Sequence, residues 1–266
     1  MKAYVHGYSD VEAGRLKDQA NTLAELLHPK APFPPGSRVL EAGCGVGAQT
    51  VILAGNSPDA HFVSIDISPE SIERTRQKVL SRGFSNVTAE VADIFDPPYA
   101  DESFDHLFVC FLLEHLEEPA KALSRLKRVL KTGGSITVIE GDHGSWYCHP
   151  RSEEADLAVK CLMEIQARKK GNSLIGRQLY PLLRAAGFRE VCVSPRMVYV
   201  DSSKPALVEG FTKKTFIAMV EGVKDEAIAL DLIDEKTWNR GVEALYRASR
   251  QDGVFCYTFF RGVAFK

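Results

Sequence analysis

Short apolar runs recur along the chain, spaced so that a helix fits between neighbours. Val39–Leu40, Ala60–Ile65, Val87–Val91, Phe104–Leu113, Ile136–Ile139, Val191–Val200 (broken near Pro195) and Val254–Phe265 read as seven strands. The stretch 104–113 is nearly all apolar, as a central parallel strand buried on both faces should be. Helical patterns fill the gaps. One opens at Ser68-Pro69, with serine as cap and proline in the first turn, and stops at Gly83. Another runs from Pro119 to Leu130 and stops before Gly133-Gly134. Strand and helix alternating in this way predict a parallel sheet. Further helices are expected over 152–170 and 174–186, and three more, Pro205–Val220, Lys224–Ile233 and Glu235–Ser249, before the last strand. At the N-terminus an arm over 1–8 leads into a helix capped by Ser9, with Glu12 completing a capping box. Pro29, Pro32, Pro34 and Pro35 end it.

This order divides the 266 residues into an arm (1–35), a core (36–202 with 252–266) and a helical insertion (203–251) that reads as a lid. Within the core, 141–172 is expected as a substrate-side loop and helix, with residues 141–150 forming a loop rich in glycine, histidine and aromatics. Apolar residues make up 45% and charged ones 26%, ordinary for a globular chain. A net charge of −2 gives no basic field for nucleic acid or a membrane surface. The longest apolar run, Leu107–Leu113, is too short to span a bilayer, and the first residues show no signal-peptide core. Six scattered cysteines without a C-x-x-C pair fit reduced thiols and a cytoplasmic location better than disulfides or zinc.

The chemistry concentrates at residues 37–47, Ser-Arg-Val-Leu-Glu-Ala-Gly-Cys-Gly-Val-Gly. A strand ends, three alternate glycines follow, and helix-forming residues resume at Ala48. Glycines are needed where the backbone takes positive φ or approaches a ligand closely, and the helix beyond turns its positive end toward the turn. The spacing G-x-G-x-G is not the dinucleotide fingerprint G-x-G-x-x-G, since Ala48 or Thr50 stands where the third glycine belongs. Glu41, two positions earlier, would repel a pyrophosphate and suits a ligand carrying positive charge. About twenty residues on, Asp66 closes the second strand, where a carboxylate can accept both hydroxyls of a ribose.

E-A-G-C-G-V-G resembles motif I of the class I S-adenosylmethionine-dependent methyltransferases, in particular the ubiquinone/menaquinone-biosynthesis type and its small-molecule relatives. The end of the fourth strand, with Leu113-Glu114-His115, and the L-K-x-G-G before the fifth are similar to that family too. The resemblance implies an α/β fold with a Rossmann-like, doubly wound, mostly parallel seven-stranded sheet whose last strand is antiparallel. It implies S-adenosylmethionine as cofactor and a small-molecule acceptor, methylated by in-line displacement. It places Glu41, Gly43, Cys44, Gly45 and Gly47 around the methionine part, Asp66 and Ile67 at the ribose and adenine, and Ala92, Asp93 and Ile94 at the adenine. Cys110 and Phe111 would meet the amino-acid end through backbone carbonyls, with His115 nearby.

Methyl transfer from a sulfonium depends on holding the acceptor against the methyl group, and needs a base only if the acceptor must lose a proton. His143 with Asp142 is the first candidate for that base, then His115, then Tyr8 or His6 of the arm. His143 reads equally as a structural hydrogen-bonding group, and for His115 the structural reading is the stronger one, since Glu114-His115 belongs to the family-like end of the fourth strand. Histidines 115, 143 and 149 do not have ligand spacing, so no metal is expected. No nucleic-acid or membrane partner is expected, and the oligomer is monomer or homodimer. Two other readings stand beside this one: a non-catalytic S-adenosylmethionine-binding module and a nucleotide-dependent oxidoreductase.

Overall fold

The computed structural model describes residues 14, 20, 22–28 and 33–266. The capping box at Ser9 and Glu12, and the candidates His6 and Tyr8, lie outside the described residues. Helical turns cover 22–27 and end at His28.

The strands are β1 (Arg38–Ala42), β2 (His61–Asp66), β3 (Val87–Val91), β4 (Phe104–Cys110), β5 (Leu130–His149), β6 (Arg189–Val200) and β7 (Val254–Phe265). They form one mixed sheet in the order β3-β2-β1-β4-β5-β7-β6, with a single antiparallel strand, as expected. β1 pairs in parallel with β2 (Leu40 opposite Val63) and with β4 (Leu40 opposite Leu107), so β1 is central and its apolar run is buried. The first strand order reverses at β1, and such a switch point opens a crevice at the carboxyl ends of the strands.

Helices α1 (Thr50–Asn56), α2 (Pro69–Ser81), α3 (Pro119–Val129), α4 (Glu153–Arg168), α5 (Leu179–Ala185), α6 (Pro205–Leu207), α7 (Ala218–Glu221), α8 (Lys224–Ala229) and α9 (Glu235–Arg247) complete the chain. Ser68 caps α2 by accepting from the Ser71 N–H at 3.2 Å, as its sequence predicts.

By packing, the chain forms two compact units. The sheet unit holds Ala24–Glu140, Ile175–Arg196 and Phe260–Lys266. Its main core joins Leu40, Ile65, Leu107 and Val109 of the sheet to Leu123 and Leu126 of α3 and Leu179 and Leu183 of α5. Cys44, Ile72 of α2 and Ala89 form a smaller cluster. The helical unit holds Gly141–Leu174 and Met197–Phe259. There α4 packs on α9 so closely that a Cβ on Gly241 would lie 2.4 Å from the Glu154 carbonyl oxygen.

Three details depart from the sequence reading. Residues 141–149 are not a loop: β5 continues through them to His149. Gly141 has its reason in this strand: a Cβ there would lie 2.5 Å from the Tyr257 hydroxyl on β7. β6 runs unbroken past Pro195. The expected α-helix over 205–220 is instead π-helical from Val208 to Ile217, between α6 and α7. Residues five apart lie about 140° apart around an α-helix, whereas i→i+5 bonding brings them closer to one face. Phe211 and Phe216 therefore both reach the Tyr257 ring, each with centroids 5.7 Å away.

Candidate active site

The glycine turn of the sheet unit hangs from the end of β2, where the Ile65 carbonyl accepts from the N–H groups of Gly43 at 2.8 Å and Cys44 at 2.9 Å. Gly43, Gly45 and Gly47 all have left-handed backbone, with φ of 75°, 52° and 72°. L side chains adopt such angles rarely, which explains the three alternate glycines. Their surroundings differ. A Cβ at Gly43 would meet the Leu112 side chain at 2.7 Å, and one at Gly47 would meet Thr75 at 2.9 Å, whereas nothing lies within 4 Å of one at Gly45. Gly45 is thus the point at which a ligand can touch the backbone.

Asp66 stands beside that opening. Its Oδ2 accepts from the Gly45 N–H at 2.9 Å and its Oδ1 from the Ser68 N–H at 2.9 Å. The Ile67 N–H also bonds to this carboxylate, whose roughly four lone-pair sites still leave room for a hydroxyl. Burial raises its pKa, and the backbone N–H groups of Ser68 and Gly45 oppose that shift. Ile67 follows, 65% exposed, an apolar side chain left open beside a carboxylate. The Ala92 N–H donates to the Asp66 carbonyl at 3.0 Å, so the turn after β3 is tied to the end of β2. In that turn Asp93 is exposed and accepts the Phe95 N–H at 2.8 Å, while Ala92 and Ile94 face the core. Only Asp93 of these three offers its side chain to a ligand.

Glu41 lies beneath the turn rather than in it. Its Oε2 accepts from the Thr50 hydroxyl at 2.7 Å and the Ser64 hydroxyl at 2.6 Å, and the residue is buried. Burial pushes its pKa up to about 7, the two hydroxyls work against the rise, and Asp66 adds to it. Thr50, where a dinucleotide fold would need glycine, is fully buried in this contact.

At the end of β4, Cys110 is buried and Phe111 turns into the left-handed region at φ 53°. A 3-10 turn follows over Leu113–His115, where His115 Nε2 lies 3.7 Å from Glu114 Oε1. The Cys44 and Cys110 thiols are pushed well above their usual pKa, first by burial and then by nearby carboxylates, so neither is a thiolate nucleophile. All six cysteines are free, and among the described residues no group of three or more His, Cys, Asp or Glu side chains could hold a metal.

In the helical unit, Asp142 and His143 follow one another on β5, so by strand alternation they point to opposite faces. Asp142 accepts the Gly144 N–H at 3.0 Å, and His143 Nδ1 lies 2.6 Å from the Tyr257 hydroxyl, both residues buried. Tyr257 sits among Phe211, Phe216 and Phe259, while Trp146 stacks on Phe255 with centroids 6.2 Å apart. Tyr8 lies outside the described residues.

The structure thus brings Gly43, Gly45, Asp66, Ile67, Asp93 and the Cys110–Phe111 end of β4 to the carboxyl ends of adjacent strands in one unit, and sets Asp142 and His143 in the other. Sequence reading missed Tyr257, Leu112 and Glu140. Only Glu140 carried a signal, as a charged residue ending an apolar strand.

A family model described as a methyltransferase domain matches residues 34–187. Phosphoethanolamine N-methyltransferase 3 of Arabidopsis thaliana is 28% identical over 73% of this chain and 39% of its own length. The ubiquinone/menaquinone biosynthesis C-methyltransferase of Geotalea daltonii is 30% identical over 42% of this chain and 48% of its own. This chain therefore spans less than half the length of either relative. A solved phosphoethanolamine N-methyltransferase 2 of Haemonchus contortus, in complex with phosphomonomethylethanolamine and S-adenosylhomocysteine, superposes with a TM-score of 0.57 at 18% identity, over 94% of this chain and 52% of that one. That likeness is one of fold. The family model covers more than half of the sequence, including the glycine turn, Asp66, Asp93 and the β4 end, and the chain belongs to the methyltransferase-domain family.

Proposed function

We propose that this protein is an S-adenosylmethionine-dependent methyltransferase acting on a small molecule. The observation that carries the reading is the open backbone at Gly45 beside the half-buried carboxylate of Asp66 and the exposed side chains of Ile67 and Asp93. That set fits the cofactor: a contact without a Cβ, an acceptor for two ribose hydroxyls, an apolar surface for adenine and a carboxylate for its amino group. When bound, the cofactor supplies a methyl group on a sulfonium for in-line displacement. Asp66 and the glycines hold it, and the backbone of Cys110 and Phe111 receives its amino-acid end. Glu41, buried beneath the turn with its pKa pushed up to about 7, is ionised in only part of the molecules at neutral pH, and a cationic ligand above it would favour the ionised form. The solved structure with S-adenosylhomocysteine, and the relatives named phosphoethanolamine N-methyltransferase and ubiquinone/menaquinone biosynthesis C-methyltransferase, support a cofactor of this kind and a small acceptor.

His143 is the base for acceptors that must lose a proton, its ring held through Nδ1 by Tyr257. Acceptors that react without deprotonation need only positioning. We place the protein in the cytoplasm on its scattered free cysteines, as a monomer or homodimer, without nucleic-acid or membrane partners. Among the described residues no helix is long and apolar enough to cross a membrane.

Calorimetry with S-adenosylmethionine and S-adenosylhomocysteine tests the cofactor site. Micromolar binding to the wild type, lost in Asp66→Ala, is the expected result; binding of NAD in their place overturns the reading. A screen of small acceptors with labelled methyl donor then separates an enzyme from a binding module. In that screen His143→Phe lowers kcat at unchanged S-adenosylhomocysteine affinity.

A further inference from the structure

Glu140 is the last residue of β5 inside the sheet unit, fully buried. Its Oε1 accepts two consecutive backbone N–H groups, Leu112 at 3.0 Å and Leu113 at 2.7 Å. These amides lie just past Phe111, whose φ of 53° is unfavourable for a residue with a Cβ. The Phe111 N–H itself donates to the Ile139 carbonyl at 2.9 Å. The bend after β4 is therefore fixed from the β5 side by three bonds, two of them to one carboxyl oxygen. The bend in turn abuts the glycine turn, because the Leu112 side chain fills the space that a Cβ on Gly43 would need, 2.7 Å away.

The other oxygen, Oε2, is buried with no hydrogen-bond partner. Burial, with the Glu114 carboxylate nearby, pushes the Glu140 pKa well above its usual range. A buried carboxyl with one bare oxygen is costly. An apolar side chain would fill the volume without that desolvation cost. What an apolar side chain lacks is an acceptor for two adjacent amides.

We propose that Glu140 is a positioning residue for the cofactor site: it holds the 111–113 bend and, through Leu112, the Gly43 turn in the shape that receives the amino-acid end of the cofactor. The proposal rests on the methyltransferase reading above. The neutral carboxyl suffices for this work, since both amides use Oε1 and a glutamine amide offers the same oxygen.

The test compares wild type, Glu140→Gln and Glu140→Leu by calorimetry with S-adenosylhomocysteine, with circular dichroism to show that each is folded. Glu140→Gln is expected to bind within about threefold of wild type, and Glu140→Leu about tenfold or more weakly. The KM for S-adenosylmethionine should rise in Glu140→Leu while that for the acceptor stays unchanged. Adding Phe111→Gly to Glu140→Leu should restore part of the lost affinity, because glycine takes the left-handed angle without help. Equal binding by wild type and folded Glu140→Leu overturns the proposal, and so does a loss in Glu140→Gln as large as in Glu140→Leu. If Glu140→Leu does not fold, Glu140→Asp carries the test: weaker binding at an unchanged cofactor-free Tm supports the proposal, and unchanged binding overturns it. A wild type that binds no S-adenosylhomocysteine removes the methyltransferase reading and the proposal with it, an outcome distinct from variants that bind normally.

Discussion

Glu41 and His28, both in the sheet unit, make stability depend on pH in opposite directions. Folding raises the Glu41 pKa from 4.5 to about 7, mainly through burial. The native state then binds more protons than the unfolded one between those values, so Glu41 makes stability fall as pH rises from 4.5 to 7. The full cost above pH 7 is on the order of 3 kcal/mol. His28, against Phe108 and hydrogen-bonded to Gln49 at 2.6 Å, has its pKa lowered by burial from 6.5 to about 4. Its contribution has the opposite sign: stability is lost as pH falls from 6.5 toward 4. Glu41→Gln should therefore have a higher Tm than wild type at pH 8, with the gain shrinking toward pH 5. Melting curves across that range check it; an equal Tm at pH 8 would show that Glu41 does not titrate as its burial implies.

Among the elements, α2 does more for the site than its place outside the glycine turn suggests. Thr75 of α2 donates to the Gly45 carbonyl at 2.8 Å, and Lys78 donates to the Val46 carbonyl at 2.7 Å. The helix therefore clamps the far side of the turn. Its start is set by Ser68, which caps it and also gives its own N–H to Asp66. Ser68→Ala removes the capping hydroxyl but keeps that N–H, and should cost about 1 kcal/mol. Urea unfolding measures the loss, with an unchanged slope on denaturant. Because Asp66 keeps its partner, affinity for S-adenosylhomocysteine should fall by less than the tenfold expected of Glu140→Leu. An intact stability would mean that the cap is replaced by water.

Over the whole molecule, binding at the glycine turn should appear as stability. A ligand that binds only the native state contributes about 2.7 kcal/mol at a hundredfold excess over its Kd. S-adenosylhomocysteine at that excess should raise Tm of the wild type by several degrees and leave Asp66→Ala unmoved, as read by differential scanning calorimetry. An equal rise in both would put the ligand elsewhere.

Much of this was written in the order of residues. The glycines at 43, 45 and 47, the cap at Ser68, the carboxylates ending β2 and following β3, and the order of strands all depend on neighbours within a few residues. Local backbone preference and hydrophobic period are enough to state them. The family followed from the same motifs. What the sequence missed depends on partners far along the chain. β5 runs on to His149 because β7 pairs beside it, although residues 141–150 alone read as a loop. His143 meets Tyr257, 114 residues away. Glu41 and Ile94 turned out buried, and Glu140 reaches amides 27 and 28 residues before it. Whether a side chain meets a ligand, a core or a distant amide is a matter of which strands lie next to which, and only the tertiary structure decides that.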